Sequence, residues 1–343
     1  MAGKISRFPG GRNADIIFRQ TCLGGFMGGF MNGQITDAFG LVKGSLYQVD
    51  GVVHYGWAEQ EVKDVFAFIN KLYSEGLIDP EIVTIDSNSV RNKVAEGKIG
   101  IISGYATNTD SYKNMVLGVD PDSSVEFVGI PYLVQEKGTV ARGGDTAGQV
   151  SEYFMFITTD CEHPEIAAQL LNYGYTEAGS VLMNYGIEGT SYEMENDAPA
   201  LIADTFTNLP EGMTAISTLQ ASYIRIAEVR WPGVIASDAI EQYRDKTMTD
   251  TRKVTEERWA QNTWSDYCIP SFASVFMTIE EADEYSKISG EVATYVKEML
   301  AAYMTGAKSL DTFETEYLAT LESLGVDRMI EIYQSALDQF NAN

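Results

Sequence analysis

Two histidines, three cysteines and one glycine-rich stretch are the first features to weigh for bond-making chemistry, and none falls at a spacing suited to it, while the 49 Asp and Glu single out no catalytic pair. His54 and His163 lie outside any HExxH, nucleophile-elbow or paired Cys and His pattern, so neither a metal-activated water nor an activated nucleophile is indicated. His163 precedes Pro164 and reads as a solvated turn residue at a helix start. Cys22, Cys161 and Cys268 are odd in number, far apart and without CxxC spacing; they read as buried small hydrophobes. The stretch "CLGGFMGGFMNG" spaces glycines four apart but matches neither phosphate-cradling loop pattern, so close packing is the better reading. No cofactor and no metal are expected.

Non-covalent recognition remains, and loop aromatics beside planar polar groups are its raw material. Tyr105 and Asn108 follow the run "KIGIISG", whose isoleucines predict a short buried strand that gives way to a loop at Gly104. The carboxyl end of such a strand is where α/β folds place ligands. Trp231, before Pro232, and Trp264, near Pro270, sit in extended or turn segments, where a stacking role competes with core packing. Arg142 and Asp145 share a glycine-rich loop that either reaches a cleft or is a surface turn. Trp259, in the charged run "TEERWAQN", reads as helix surface or core edge.

The elements that position these residues are punctuated by glycine and proline. Val62, Val65, Phe66, Ile69, Leu72 and Tyr73 form one helical stripe, stopped by Gly76 and Pro80. Before it, "LYQVDGVVHYG" predicts a hairpin turning on Asp50-Gly51. A second helix covers "DSNSVRNKVAEG", with Ser87 or Ser89 as N-cap and Gly97 as terminator. "VEFVGIP" (125–131) and "EYFMFIT" (152–158) read as buried strands. Two helices follow, one with Pro164 in its first turn and one opened by Thr176 with Gly179 and ended by Gly186. Thr278 with Glu281, and Asp311 with Glu314, fit the capping-box pattern near the end of the chain.

Composition excludes several partners. Against 24 Lys and Arg stand 49 Asp and Glu, a formal charge of −25 that repels phosphate backbones and anionic lipid surfaces, so nucleic-acid binding is not expected. No apolar run approaches the roughly 20 residues of a membrane span. The start "MAGKISRFPGG" lacks a signal core and a lipid-attachment cysteine; the expectation is a cytoplasmic protein or one whose native N-terminus lies upstream.

The order of these segments carries a resemblance. A helix ending "LYSEGLIDPE", another ending "VAEGKIGI", a strand followed by glycine and an aromatic, a strand ending Ile-Pro, a third strand, and then "PEIAAQLLNYGYTEAGSVLMNYGIEGTSY" come in succession. With the closing "ISGEVATYVKEMLAAYMTG" and "LDTFETEYLATLESLGVDRMIEIYQSALDQFN", the chain from about residue 40 onward resembles the extracellular solute-binding proteins of bacterial ABC importers. The likeness is to family 1, maltose-binding-protein-like, in its Gram-positive lipoprotein branch.

The resemblance implies an α/β, helix-rich, periplasmic-binding-protein-like (type II) clamshell whose first lobe is incomplete, because that lobe's opening strands and helices have no counterpart here. It implies a second-lobe segment over 1–130, a crossing and remaining first-lobe segment over 131–200, and loops and helices returning mainly to the second lobe over 201–343. It implies capture of a small solute, a carbohydrate or oligosaccharide above all, for ABC permease subunits, without catalysis. A sugar would need aromatic faces and planar hydrogen-bonding groups, for which Tyr105, Asn108, Arg142, Asp145, Trp231 and Trp264 are the candidates. It also implies an extracellular location, with a lipoprotein anchor in a longer parent, and self-association through the incomplete lobe. An interaction or sensing module and a glycan-active enzyme, which needs a pair of carboxylates, are the alternatives.

Overall fold

A computed structural model describes residues 19–20, 35–42, 45–136, 155–202, 233–234, 236–259 and 277–342. The chain divides into two compact units, Met1–Ala147 with Asp250–Asn343, and Gly148–Thr249. The architecture is α/β and helix-rich, and the described strands are two to four residues long.

In the first unit, β1 (Arg19–Gln20) pairs in parallel with β4 (Ile102–Ser103), and β2 (Leu46–Val49) forms an antiparallel hairpin with β3 (Val52–Tyr55). The hairpin turn has Asp50 at φ 52° and Gly51 at φ 84°, the two successive positive values that an Asp-Gly turn supplies. Helix α1 (Val62–Ser74) buries Val62, Val65, Phe66 and Ile69 and is followed by Gly76 in the left-handed region, as its stripe and stop predict. It packs on α8 (Ile279–Thr305), where Phe66 stacks on Tyr303 at 4.7 Å between ring centroids. The side-chain amide of Asn70 donates to the carbonyls of Tyr303 and Met304 in the last turn of α8. Helix α10 (Val326–Ala342) meets the hairpin through Gln334, which accepts from the Val53 N–H at 2.7 Å and donates to the Gly51 carbonyl at 2.9 Å.

Capping follows local chemistry, with two corrections. Helix α2 (Ser87–Ala95) is capped by Asp86, not by Ser87 or Ser89: one carboxylate oxygen accepts from both Asn88 N–H and Ser89 N–H at 2.8 Å, and the other accepts the Ser89 hydroxyl. A carboxylate serves several donors at once, which a serine hydroxyl does less well. Thr278 and Glu281 form the expected capping box on α8. Asp311 and Glu314 do not form one. Ser309 caps a single tight turn there, the chain continues as a π-helical turn over Phe313–Leu318 into α9 (Ala319–Ser323), and Glu314 pairs with Lys63 instead.

Helix α3 (Asn108–Leu117) packs on α2 around Val90, Val94, Ile99, Tyr112 and Val116. Beyond it, "VEFVGIP" is not a strand. Backbone groups of Gly129 and Ile130 bond instead to side chains of α7 (Asp250–Trp259): Gly129 N–H donates to Thr255 Oγ1 at 2.8 Å, Arg258 donates to the Gly129 carbonyl, and the Trp259 indole N–H to the Ile130 carbonyl. Groups that would otherwise join a ladder are thereby taken. Trp259 is half-buried at this seam, at the core edge as expected. The described part of "EYFMFIT", residues 155–158, is likewise not strand and is exposed, with Phe156 at 86%.

In the second unit, α4 (Pro164–Tyr173) and α5 (Glu177–Tyr185) begin with Pro164 in the first turn and with Thr176, whose hydroxyl accepts the Gly179 N–H. A Cβ at Gly179 would lie 1.8 Å from the Tyr173 carbonyl oxygen, so only glycine admits this corner. After Gly186, β5 (Tyr192–Glu195) and β6 (Ala198–Leu201) form a hairpin on Asn196 and Asp197, both at positive φ. Helix α6 (Ser237–Thr247) closes a small core of Tyr185, Tyr192, Leu201, Ala239 and Tyr243. Asn184 spans to the Val234 carbonyl and the Ala236 N–H.

Candidate functional site

The turn between β4 and α3 is where the described residues put ligand chemistry on show. Strand β4 lies parallel to β1, so its carboxyl end is the edge at which α/β sheets receive ligands. At that end Gly104 is crowded from the helix side: a Cβ there would come within 2.9 Å of Asn108 Oδ1 and 3.1 Å of the Tyr112 hydroxyl. Tyr112, nearly buried, donates to the Ser103 carbonyl at 3.3 Å and tilts against Phe127, so the base of the turn is packed.

On this base Tyr105 stands 66% exposed. Its own N–H donates to Asn108 Oδ1 at 2.7 Å, and its carbonyl accepts the Asn108 N–H at 2.9 Å. Asn108 thus has two ends with different tasks. The carbonyl oxygen fixes the turn, while the amide nitrogen makes no hydrogen bond among the described residues. An exposed phenol ring beside a free amide donor, on a turn braced from below, suits stacking against an apolar face together with hydrogen bonding of hydroxyls.

Of the residues singled out by sequence, the structure brings Tyr105 and Asn108 together in this turn. Arg142, Asp145, Trp231 and Trp264 lie outside the described residues. Gly104 stands at the end of the strand as the sequence indicates; what sequence reasoning missed is its close packing and the support from Tyr112, whose signal was a second tyrosine one turn into the helix.

Elsewhere the chemistry is structural. His54 Nδ1 lies 3.0 Å from Glu59 Oε1 while its ring stacks on Tyr47, and His163 is an exposed residue at the start of α4. Cys161 is half-buried rather than buried, since it sits in the turn leading to α4; Cys22 and Cys268 lie outside the described residues. In the second unit burial, then the hydrogen bond to Asp238, raises the Tyr185 phenol above its ordinary range. A shallow groove along α8 and α9, floored by Gly290, Tyr295 and Leu324, contains none of the residues expected to bind ligand.

No family model matches the chain. It is 25% identical over 302 residues to the fructooligosaccharide ABC transporter substrate-binding protein FusA of Streptococcus pneumoniae serotype 4, a match covering 86% of this chain and 52% of that protein. It is 26% identical over 139 residues to the lipoprotein LipO of Bacillus subtilis strain 168, covering 40% of this chain and 27% of LipO. The alginate-binding protein AlgQ2, in a structure without calcium ion, superposes with a TM-score of 0.66 at 21% identity, over 89% of this chain and 62% of AlgQ2. FusA in complex with kestose gives 0.64 at 24% identity, over 97% of this chain and 65% of that one. The chain therefore spans about half the length of FusA, and the shorter match to LipO covers about a quarter of that protein.

Proposed function

We propose that this chain, which has the fold of the solute-binding proteins and resembles the substrate-binding proteins of ABC transporters, captures a carbohydrate reversibly for delivery to a permease. The observation that carries the proposal is Tyr105, a 66% exposed aromatic on a turn braced by Gly104 and Asn108. The likeness to FusA over 86% of the chain supports it, since that relative is named for fructooligosaccharide. In this reading Tyr105 stacks on the C–H face of a sugar ring and the Asn108 amide donates to a ring hydroxyl. Trp231, Trp264, Arg142 and Asp145 complete the site by residue type alone. Residues 1–130, with the loops and helices of 201–343 for the most part, are assigned to the second lobe, and 131–200 to the crossing and the remaining first-lobe segment. The location is extracellular, with a lipid anchor in the parent protein, in keeping with the lipoprotein relative.

Capture of this kind requires no bond to break, and the ligand acts by favouring the conformation that it contacts most. A thermal-shift screen of the chain against a glycan panel tests the proposal, because a ligand that binds only the folded state raises the melting temperature by mass action. At least one oligosaccharide should raise it and be recovered unchanged. Hydrolysed glycan, or a panel with no stabilising member, would contradict the reading.

A further inference from the structure

We infer that the captured oligosaccharide is uncharged, an inference that rests on the carbohydrate reading above. Both units are strongly acidic: Gly148–Thr249 holds 15 Asp and Glu against 4 Lys and Arg, and the remainder of the chain holds 34 against 20. A uronate, sialylated or phosphorylated glycan would therefore approach against the field of either unit, whereas a neutral one meets no such barrier.

The elements that flank Tyr105 in the chain sharpen the point. Four basic residues occur on α2, on α3 and in the segment joining them, and three of them are engaged by carboxylates. Lys93 sits 3.3 Å from the buried Asp79 and 2.5 Å from Glu81, Lys98 lies 2.5 Å from Glu96, and Lys113 lies 2.6 Å from Glu126. Arg91 is on the exposed side of α2. Recruiting any of the three lysines to an anionic sugar would strip a carboxylate of its partner, that of Asp79 inside the protein. Of the proposed site's residues, the two donors that the structure describes, the Asn108 amide and the Tyr105 hydroxyl, are both neutral.

The test is calorimetry of the full chain with kestose and longer neutral fructans, against alginate oligomers of matched length, at about 20 mM and about 500 mM sodium chloride. The neutral sugars should bind at least about tenfold more tightly at low salt, with an affinity indifferent to salt, and the difference should narrow at high salt. Alginate oligomers binding as tightly as the fructans, or more tightly at low salt, would overturn the inference and leave the carbohydrate reading standing. Binding of neither class would overturn both.

Discussion

Tyr105 and Gly104 are neighbours whose substitution separates binding from folding. Tyr105 is exposed and its ring braces nothing in the described structure, so Tyr105→Ala should leave stability within about 0.5 kcal/mol of wild type. Its loss should nevertheless weaken sugar affinity at least about tenfold, through lost stacking and buried area. Gly104→Ala drives a methyl group to within 2.9 Å of Asn108 Oδ1 and so displaces the acceptor that holds the Tyr105 N–H. That variant should lose about 1 kcal/mol of stability and bind more weakly as well, which calorimetry and thermal melts on the same samples would show. Tyr105 and Asn108 could be nominated from sequence because strand, glycine and aromatic are contiguous. The division of labour within Asn108 was not legible, since it depends on which atom of one amide faces the backbone.

At the scale of elements, what was written locally was readable and what depended on distant partners was not. The Asp-Gly hairpin, the Gly76 stop, Pro164 in the first turn of α4 and the Thr278 capping box each involve residues within a few positions of one another. The run 125–131 has the composition of a strand, yet its hydrogen-bond partners Thr255 and Arg258 lie more than a hundred positions away, and nothing within the run announces them. This seam is testable: Thr255→Val should destabilise the protein by about 1–3 kcal/mol in urea titrations, because it strands the buried Gly129 N–H, while Thr255→Ser should recover most of the loss. The cap of α2 gives a pH signature. Hydrogen bonds from Ser89, and then from Asn88, hold the Asp86 carboxyl below its usual range. A carboxyl with a depressed folded pKa contributes stability above its unfolded value of about 4, and that contribution is lost as pH falls through the folded value. Asp86→Ala should therefore lower the melting temperature near neutral pH, and its gap from wild type should shrink as the pH is taken below about 4.

For the whole molecule, the fold and the resemblance agree: an acidic, helix-rich α/β chain with the fold of solute-binding proteins, spanning about half of FusA. The described residues contain no helix long and apolar enough to cross a membrane, and no group of three or more His, Cys, Asp or Glu placed to hold a metal ion. The account of function comes down to one turn on that fold presenting one aromatic to a sugar. Calorimetric titration of wild-type and Tyr105→Ala chains with a neutral oligosaccharide identified by screening tests this most directly. The account predicts saturable binding by wild type and affinity at least about tenfold weaker for the variant at an unchanged melting temperature. Equal affinities for the two folded proteins would contradict it.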